Sequence, residues 1–327
     1  MHAVVGELHS SSMVHRYANN PVLTAQQVPY ESSLVFNAGV IKYQGKYVMV
    51  FRNDYNYLGG TNFGGTNIGL AESNDGISWK VHDNPVFSLK TGEISRAYDP
   101  RLTVIDGKVY MCFAVDTKHG IRGGIASTDD FEHFNIISLS APDNRNMVLF
   151  PEKINGMFTR LERPFTVYGR GGIDRFDIWS AQSPDLKFWG NNNLVLGVED
   201  VHYANDKIGP AAPPIKTKYG WLTIFHAVDI DKSRGKHGWE DTWKKRYCAG
   251  LALLDLDDPS KVIGLAKEPL LAPETIYEIK DGFRTNVIFP TSMILENSGE
   301  VKIYYGASDT VVALATAQLD DLLKLVL

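Results

Sequence analysis

Apolar and polar residues follow one pattern that recurs along the chain. Small, polar or proline residues lead into an apolar run, a turn, and a second apolar run; the pattern occupies residues 37–52, 98–115, 150–164, 213–228 and 289–308. Runs rich in alternating β-branched and aromatic residues are typical of half-buried β-strands, and short polar turns between them are typical of hairpins. Each occurrence therefore predicts one β-hairpin.

The turns of the predicted hairpins combine Gly with polar residues: Gln44-Gly45-Lys46, Asp106-Gly107-Lys108, Asn155-Gly156, Lys218-Tyr219-Gly220 and Asn297-Ser298-Gly299. After each hairpin comes a further short apolar strand and a turn rich in Ser and Asp, over residues 68–79, 123–134, 177–189, 249–262 and 311–323. A unit repeated at this spacing indicates a repeat architecture, and antiparallel sheets repeated around an axis form a propeller. We predict an all-β, five-bladed β-propeller with a central-funnel active site.

The propeller is predicted to occupy residues 15–327, and residues 1–14 are predicted to be an N-terminal arm, either for oligomerisation or as a disordered tail. Helical spacing is found only over residues 319–327. Residues 53–67 and 229–246 are interpreted as two unusually long connections, which in compact folds are commonly functional or disordered. Their Tyr and Trp residues suit stacking against sugars; the alternative is a pair of solvent-facing insertions.

Composition narrows the class of protein. The chain has 327 residues, is 44% hydrophobic and carries a net charge of −5, which argues against nucleic-acid binding. Cys112 and Cys248 lie inside apolar runs and are predicted to be buried free thiols, because no disulfide framework or zinc spacing accompanies them. No stretch has the length of a signal peptide or of a membrane span. We expect a soluble cytoplasmic protein that binds no membrane.

Polar residues at the ends of the predicted inner strands are the candidate chemistry, because equivalent strand ends converge in a propeller. Asp99 is the best single acid, since it lies in Ala-Tyr-Asp-Pro-Arg immediately before a strand. The alternative is an ordinary turn Asp beside Pro100. No metal-ligand spacing, Walker loop or nucleophile elbow is found, so we expect no metal or cofactor.

Basic residues beside the inner strands point to an anion. Several cations in one pocket cannot neutralise one another, and phosphate is their natural ligand. The alternative, separately solvated surface residues, weakens because the cations recur at comparable places in the repeats. These candidates are Arg145, Arg163, Lys207 and His226.

The motifs resemble those of the β-mannoside phosphorylases of glycoside hydrolase family 130 over about residues 16–323. The matching segments are residues 35–39, 50–52, 97–101, 145–156, 162–164, 207–209, 213–217, 253–262 and 304–310. The resemblance implies a five-bladed propeller and an inverting reaction. In that reaction, inorganic phosphate as co-substrate attacks the anomeric carbon of the non-reducing mannosyl unit and α-mannose 1-phosphate is formed.

The resemblance also implies roles for individual residues. Asp99 matches the general acid, which protonates the glycosidic oxygen through the mannose 3-hydroxyl. The phosphate-binding set implied by the motifs is Arg145, Asn146, Arg163, Lys207, His226 and Tyr247, of which Asn146 and Tyr247 are the weaker members. The implied mannose contacts are Asn37, Arg52, Tyr98 and Asp309, with Arg52 also a candidate neighbour of the phosphate.

The acceptor sugar stays open at this point. A phosphorylase of β-1,4-mannosides would act on mannooligosaccharides, mannosyl-N-acetylglucosamine or mannosylglucose, and a β-1,2-mannoside phosphorylase is a variant of the same reading. A β-mannoside hydrolase of the same fold would be expected to lack the basic set. A sugar-binding propeller without catalysis would be expected to lack Asp99. The expected partners are an oligosaccharide and phosphate, and the sequence permits a homo-oligomer.

Overall fold

The structure is a computed structural model that describes residues 4–166, 176–235, 238–240 and 242–327. It begins with the short strand β1 (His15–Arg16). The first blade contains β2 (Leu34–Tyr43), β3 (Lys46–Gly59), β4 (Asn62–Ser73) and β5 (Lys80–Val81). The second blade contains β6 (Ile94–Ile105), β7 (Lys108–Thr117), β8 (Gly120–Thr128) and β9 (Asn135–Leu139).

The remaining blades follow in chain order. The third contains β10 (Asn144–Leu149), β11 (Phe158–Pro164), β12 (Ile178–Ser183) and β13 (Gly190–Leu196). The fourth contains β14 (Lys207–Pro210), β15 (Ile215–Lys216), β16 (Trp221–Ile230), β17 (Lys245–Leu254) and β18 (Val262–Leu265). The fifth contains β19 (Ile288–Leu295), β20 (Glu300–Ala307) and β21 (Val311–Gln318). The five antiparallel sheets form a five-bladed β-propeller, which confirms the predicted fold.

Helices are short in the described part of the chain. They are α1 (Ile276–Ile279), α2 (Leu319–Lys324) and two 3₁₀ turns, Ala25–Gln27 and Val198–Asp200. The predicted helical segment at the C-terminus is therefore present as α2. No described helix is long and apolar enough to cross a membrane.

The hydrophobic core lies between neighbouring blades. One cluster of buried side chains fills each interface, so that Phe51 and Tyr304 pack between the fifth and first blades and Phe150 and Trp221 between the third and fourth. The other three interfaces have equivalent clusters. Cys112 and Cys248 are buried free thiols, as predicted. Because each sheet buries both faces, the blades support one another around the ring.

The N-terminal strand closes this ring. Its residues His15 and Arg16 pair with Thr316 and Ala315, so β1 becomes the outermost strand of the fifth blade, in the order β1-β21-β20-β19. A strand from the start of the chain thereby completes the last sheet. The described residues before β1 pack on the same chain: Ser10 N donates to Glu274 Oε1 at 2.9 Å, and Val5 and Leu8 lie against the cluster between the third and fourth blades.

Each of the first three blades has a β-bulge in its innermost strand. The strand register shifts between Phe36 and Gly39, between Tyr98 and Arg101, and between Arg145 and Val148. Asn37, Asp99 and Asn146 lie in these bulges with φ of 49°, 55° and 58°. Short polar side chains tolerate this left-handed conformation, and a bulge redirects the side chain that it carries. The three β-bulges thus present three polar side chains at one end of the central funnel.

The interpretation of residues 53–67 as a long loop is wrong. They belong to β3 and β4, which extend as one hairpin whose only break is the turn at Gly60-Thr61. The glycines suggested a loop, but in the structure they make room for side chains of the paired strand. A Cβ on Gly65, for example, would lie 2.3 Å from the Tyr55 hydroxyl. The predicted connection at 229–246 is present between β16 and β17, over residues 231–244.

The predicted hairpins of the third and fourth repeats began too late in the sequence. Their turns are placed as expected, but the inner strands are β10 and β14, which precede residues 150 and 213. The long segments between the inner strand and the turn hid this pairing. As a result, Arg145, Asn146 and Lys207 lie within the inner strands rather than beside them.

Candidate active site

The funnel opens into a cavity of about 310 Å³ at the bulged ends of the inner strands. Of the predicted site residues, the structure brings nine to its wall: Asn37, Arg52, Tyr98, Asp99, Arg145, Asn146, Arg163, Tyr247 and Asp309. They come from all blades, and 272 residues of sequence separate Asn37 from Asp309. The other two, Lys207 and His226, lie behind this wall.

Asp99 is the most constrained carboxylate of the cavity. Asn37 Nδ2 donates to its Oδ1 at 2.9 Å, and Arg52 Nη1 does so at 3.2 Å. Arg101 Nη1 donates to the Asp99 carbonyl at 2.9 Å. Burial alone would raise the pKa of Asp99, but Arg52, Arg101 and the Asn37 hydrogen bond outweigh it, and the pKa lies below its usual value. The carboxyl group is therefore ionised in the unliganded site.

Arg52 is held by a carboxylate that the sequence analysis missed. Its guanidinium donates to both oxygens of Asp54, the closest contact being 2.7 Å from Nη2 to Oδ2. Thr66 Oγ1 donates to the same carboxylate at 2.7 Å. The guanidinium also lies 4.5 Å from the ring centroid of Phe36 and 4.9 Å from that of Tyr98. Asp54 follows Arg52 by two residues on the same strand, so both side chains lie on the same face. This spacing was the feature of the sequence that could have predicted the pair.

Tyr98 connects Asp99 with the basic side of the cavity. Its hydroxyl donates to Asp116 Oδ1 at 2.7 Å and accepts from Arg145 Nη1 at 3.4 Å. Arg96 Nε donates to the other oxygen of Asp116 at 2.6 Å. Burial is the main cause that raises the pKa of Tyr98 to about 12, so the phenol remains a hydrogen-bond donor.

The basic side of the cavity is not neutralised by the protein. In the described part of the chain, Arg145 and Arg163 have no carboxylate within 4.0 Å, and the Nε of each is buried without a hydrogen-bond partner. Lys207 Nζ lies 3.9 Å from Asp206, but Lys245 holds the same carboxylate at 2.8 Å. Buried cations in this state require an anion.

The electrostatic cost of this arrangement appears in the pKa values of Arg163 and Lys207. Burial, and then the charge of Arg145, lower the pKa of Arg163 to about 9. Burial and the charge of Arg163 hold the pKa of Lys207 well below its usual value. An anion in the cavity would reverse both effects, because it would stabilise the charged forms.

His226 lies behind the cavity wall and contacts wall residues, among them Arg163. The His226 ring is fully buried, and its Nε2 lies 3.2 Å from Arg163 Nη1. Burial and the nearby cations hold the pKa of His226 well below its usual value, so the ring is neutral. Since a guanidinium can only donate, Nε2 accepts and Nδ1 carries the proton. Phe289 and Tyr247 flank the ring at centroid distances of 4.8 and 6.0 Å.

The opposite wall carries a third carboxylate, Asp309, and an arginine, Arg284, that was not predicted from the sequence. Arg284 Nη1 lies 3.4 Å from Asp309 Oδ2, and Arg284 Nε also donates to Glu240. Burial raises the pKa of Asp309, although Arg284 and Arg52 oppose the shift. Arg284 lies shortly before the fifth inner strand, and Arg145 lies near the start of the third. This position was the only feature of the sequence that pointed to Arg284.

Aromatic residues line the outer part of the same wall. Phe63 and Phe283 border the cavity with ring centroids 5.3 Å apart, and Tyr57 lies 5.2 Å from Phe63. Trp239, from the connection between β16 and β17, lies 5.1 Å from Tyr57. The two segments that were interpreted as long connections therefore meet at the mouth of the cavity.

Comparison with known proteins identifies the family. The family profile described as β-1,4-mannooligosaccharide phosphorylase, that of glycoside hydrolase family 130, matches residues 10–327. The chain belongs to this family. The resemblance stated from the motifs is thus confirmed, and so is the assignment to the glycoside phosphorylases.

Relatives within glycoside hydrolase family 130 differ in linkage. The chain is 34% identical to a β-1,4-mannooligosaccharide phosphorylase of Ruminococcus albus, over 96% of this chain and 91% of that protein. It is 33% identical to a 1,2-β-oligomannan phosphorylase of Thermoanaerobacter sp., over 94% and 98%. A solved β-1,2-mannobiose phosphorylase of Listeria innocua, in complex with β-1,2-mannobiose, superimposes with a TM-score of 0.81 and 26% identity, over 95% and 98%.

Proposed function

We propose that this protein catalyses the inverting phosphorolysis of β-mannosides to α-mannose 1-phosphate and a shortened sugar, with β-1,4-linked mannooligosaccharides as the preferred substrate class. The observation that carries the proposal is a pair of arginines without a described carboxylate partner, the buried Arg163 and the half-buried Arg145, beside the carboxyl group of Asp99. Phosphate would supply both the missing negative charge and the nucleophile.

In the proposed site, Arg145, Arg163, Asn146 and Tyr247 bind phosphate from the cavity wall. Lys207 and His226 support them from behind, His226 by orienting the guanidinium of Arg163. A phosphate oxygen attacks the anomeric carbon as the bond to the glycosidic oxygen breaks. Phosphate is already anionic, so this step requires no general base, unlike the attack of water.

Asp99 supplies the proton for the leaving oxygen, relayed through the mannose 3-hydroxyl. Its low pKa in the unliganded site is compatible with this role, because a bound phosphate would offset the field of the surrounding cations and raise that pKa. Asn37, Arg52, Tyr98 and Asp309 are proposed to hold the mannosyl unit. Three of these side chains contact Asp99 or each other already, which supports a mannosyl site beside the acid.

Two properties favour phosphorolysis over hydrolysis. An inverting hydrolase requires a second carboxylate that is free to activate water. Here Asp54 is occupied by Arg52 through paired hydrogen bonds, and Asp309 is paired with Arg284. The intact basic set would serve no purpose in the hydrolysis of a neutral sugar. A propeller that only binds sugar would not require an acid such as Asp99 surrounded by arginines.

Incubation with β-1,4-mannobiose, with and without phosphate, tests the proposal. We expect α-mannose 1-phosphate only in the presence of phosphate. Release of free mannose at the same rate without phosphate would reject it in favour of hydrolysis. A parallel incubation with β-1,2-mannobiose tests the linkage, and faster turnover of that sugar would replace the β-1,4 assignment.

A further inference from the structure

Four aromatic side chains, Tyr57, Phe63, Trp239 and Phe283, form a continuous surface that we call the aromatic rim. Phe63 and Phe283 border the cavity, while Tyr57 and Trp239 continue outwards from them. Successive ring centroids are 5.1–5.3 Å apart along the path Trp239, Tyr57, Phe63, Phe283. The path leads from the cavity wall to solvent, where Trp239 is 40% exposed.

The rim is built on fixed backbone. Trp239 N donates to Gly282 O and Glu240 N donates to Phe283 O, both at 3.0 Å. A Cβ on Gly238 would lie 2.8 Å from Gly282 O, so the chain enters this pairing through a position that admits only glycine. On the other side, Tyr57 and Phe63 are direct partners in the extended hairpin. Rigid supports of this kind lower the entropic cost of ligand binding.

The cavity is too small to hold a long saccharide. About 310 Å³ is close to the lower end of the roughly 300–1,000 Å³ range of ligand pockets, so a short saccharide fills it. Any further sugar units must extend out of the cavity through its mouth. Among the described residues, the aromatic rim is the surface that lies along this path. A pyranose presents an apolar C–H face, and an aromatic ring buries such a face with little loss of side-chain entropy.

On the basis of the proposed phosphorolysis, we infer that the aromatic rim binds the third and later units of an oligosaccharide and makes the enzyme prefer longer chains to disaccharides. The reacting mannosyl unit lies at Asp99, the next unit lies beside Phe63 and Phe283, and the chain then passes over Tyr57 and Trp239. Trp239 is a specificity-determining residue in this assignment and has no role in bond cleavage.

The test is the kcat/KM of phosphorolysis for mannooligosaccharides of two to five units at saturating phosphate. In the native protein, kcat/KM should increase from the disaccharide to the tetrasaccharide. In Trp239→Ala, the ratio of tetrasaccharide to disaccharide kcat/KM should fall about tenfold through KM, and Trp239→Phe should restore most of it. Phe188→Ala is the matched control, because Phe188 is 75% exposed on a turn of the third blade.

Equal kcat/KM for all chain lengths in the native protein would overturn the rim assignment while leaving phosphorolysis intact, and this outcome requires no variant to fold. An unchanged ratio in a folded Trp239→Ala variant would overturn it as well. Absence of phosphorolysis with every saccharide and either linkage would instead reject the proposed function, and the rim assignment with it.

Discussion

Two sites in this propeller, the ring closure and the central cavity, differ in how the charge of their arginines is neutralised. At the ring closure, Arg16 donates to Glu278 Oε1 at 2.8 Å and to Glu274 Oε2 at 3.0 Å, and Tyr305 also donates to Glu278 at 2.8 Å. At the centre, Arg145 and Arg163 have no such partners among the described residues. The charge of Arg16 is neutralised within the fold, whereas no described carboxylate neutralises Arg145 or Arg163.

The pKa values of Arg16 and Arg163 show the same contrast. Burial lowers the pKa of both Arg16 and Arg163, but the hydrogen bond and charge of Glu278 more than offset it for Arg16, whose pKa is raised. Burial also opposes ionisation of Arg145, but the influence of Tyr98, Tyr247 and Asp99 outweighs it, so the pKa of Arg145 is raised. An arginine whose pKa is raised by folding stabilises the fold, and one whose pKa is lowered by folding destabilises it. The comparison can be tested by removing charges from either site.

The largest effect is expected from Asp99→Asn in the central cavity. The substitution keeps the size of the side chain but removes the proton donor, so phosphorolysis should fall about 10²–10⁴-fold. Initial rates at saturating mannobiose and phosphate measure it, with the thermal midpoint as the check on folding. A rate within threefold of the native protein would show that the acid is another group.

Arg16→Met should reduce stability and leave activity unchanged, which is the opposite of the effect expected for Asp99→Asn. It leaves the fully buried Glu278 carboxylate without its cation, and loss of one partner of a buried pair costs about 3–5 kcal/mol in the free energy of unfolding. Denaturant titration measures this loss. The activity of the folded fraction should remain, because Arg16 lies at the outer edge of the ring closure.

The matched control is Lys46→Met, which breaks the exposed pair between Lys46 and Glu72. Exposed pairs contribute about 0–1 kcal/mol, so its unfolding curve should nearly superimpose on that of the native protein. If Arg16→Met were as mild as this control, the ring closure would owe its stability to packing rather than to charge.

Arg163→Met should raise the KM for phosphate about 10- to 100-fold, the effect of one charge-assisted hydrogen bond. Its stability in phosphate-free buffer should equal or exceed that of the native protein, since a buried cation without a carboxylate partner is removed. Phosphate should raise the melting temperature of the native protein and much less that of the variant. A variant that is destabilised without phosphate would contradict the view that this charge is uncompensated.

The smallest effect concerns pH. Burial opposes ionisation of Glu274, but hydrogen bonds from Ser10 and the charge of Arg16 hold its pKa below the usual value. A carboxyl group whose pKa is lowered by folding stabilises the protein above its unfolded pKa, and this stability is lost as the pH falls through the folded pKa. Ser10→Ala should therefore flatten the fall of the unfolding midpoint below about pH 4.5. An identical pH profile would assign the acid sensitivity to other carboxylates.

Much of the fold could be predicted from the sequence, because strand alternation and turn chemistry are local. The hairpins, their turns and the count of five follow from residue order alone. The extended hairpin formed by β3 and β4 escaped prediction, since a Gly such as Gly65 indicates a loop unless the ring that covers it is known. The closure by β1 escaped as well, because a two-residue strand has no periodicity.

The candidate site, like the fold, could be predicted from the sequence only in part. Motifs singled out Asp99, Asn37 and the basic residues, but the inner strands that carry Arg145 and Lys207 were missed. Asp54, Arg284 and the bulges at Asn37, Asp99 and Asn146 were not foreseen either. A bulge depends on the register between two strands, and register is a property of the pair.

By itself, the sequence determined the repeated strands, the buried thiols and the residue types available for chemistry, since these depend on neighbours along the chain. Only the tertiary structure decided which charges are neutralised. Arg16 and Arg163 are equally basic in the sequence, and they differ because Glu278 lies beside one of them in space and no described carboxylate lies beside the other.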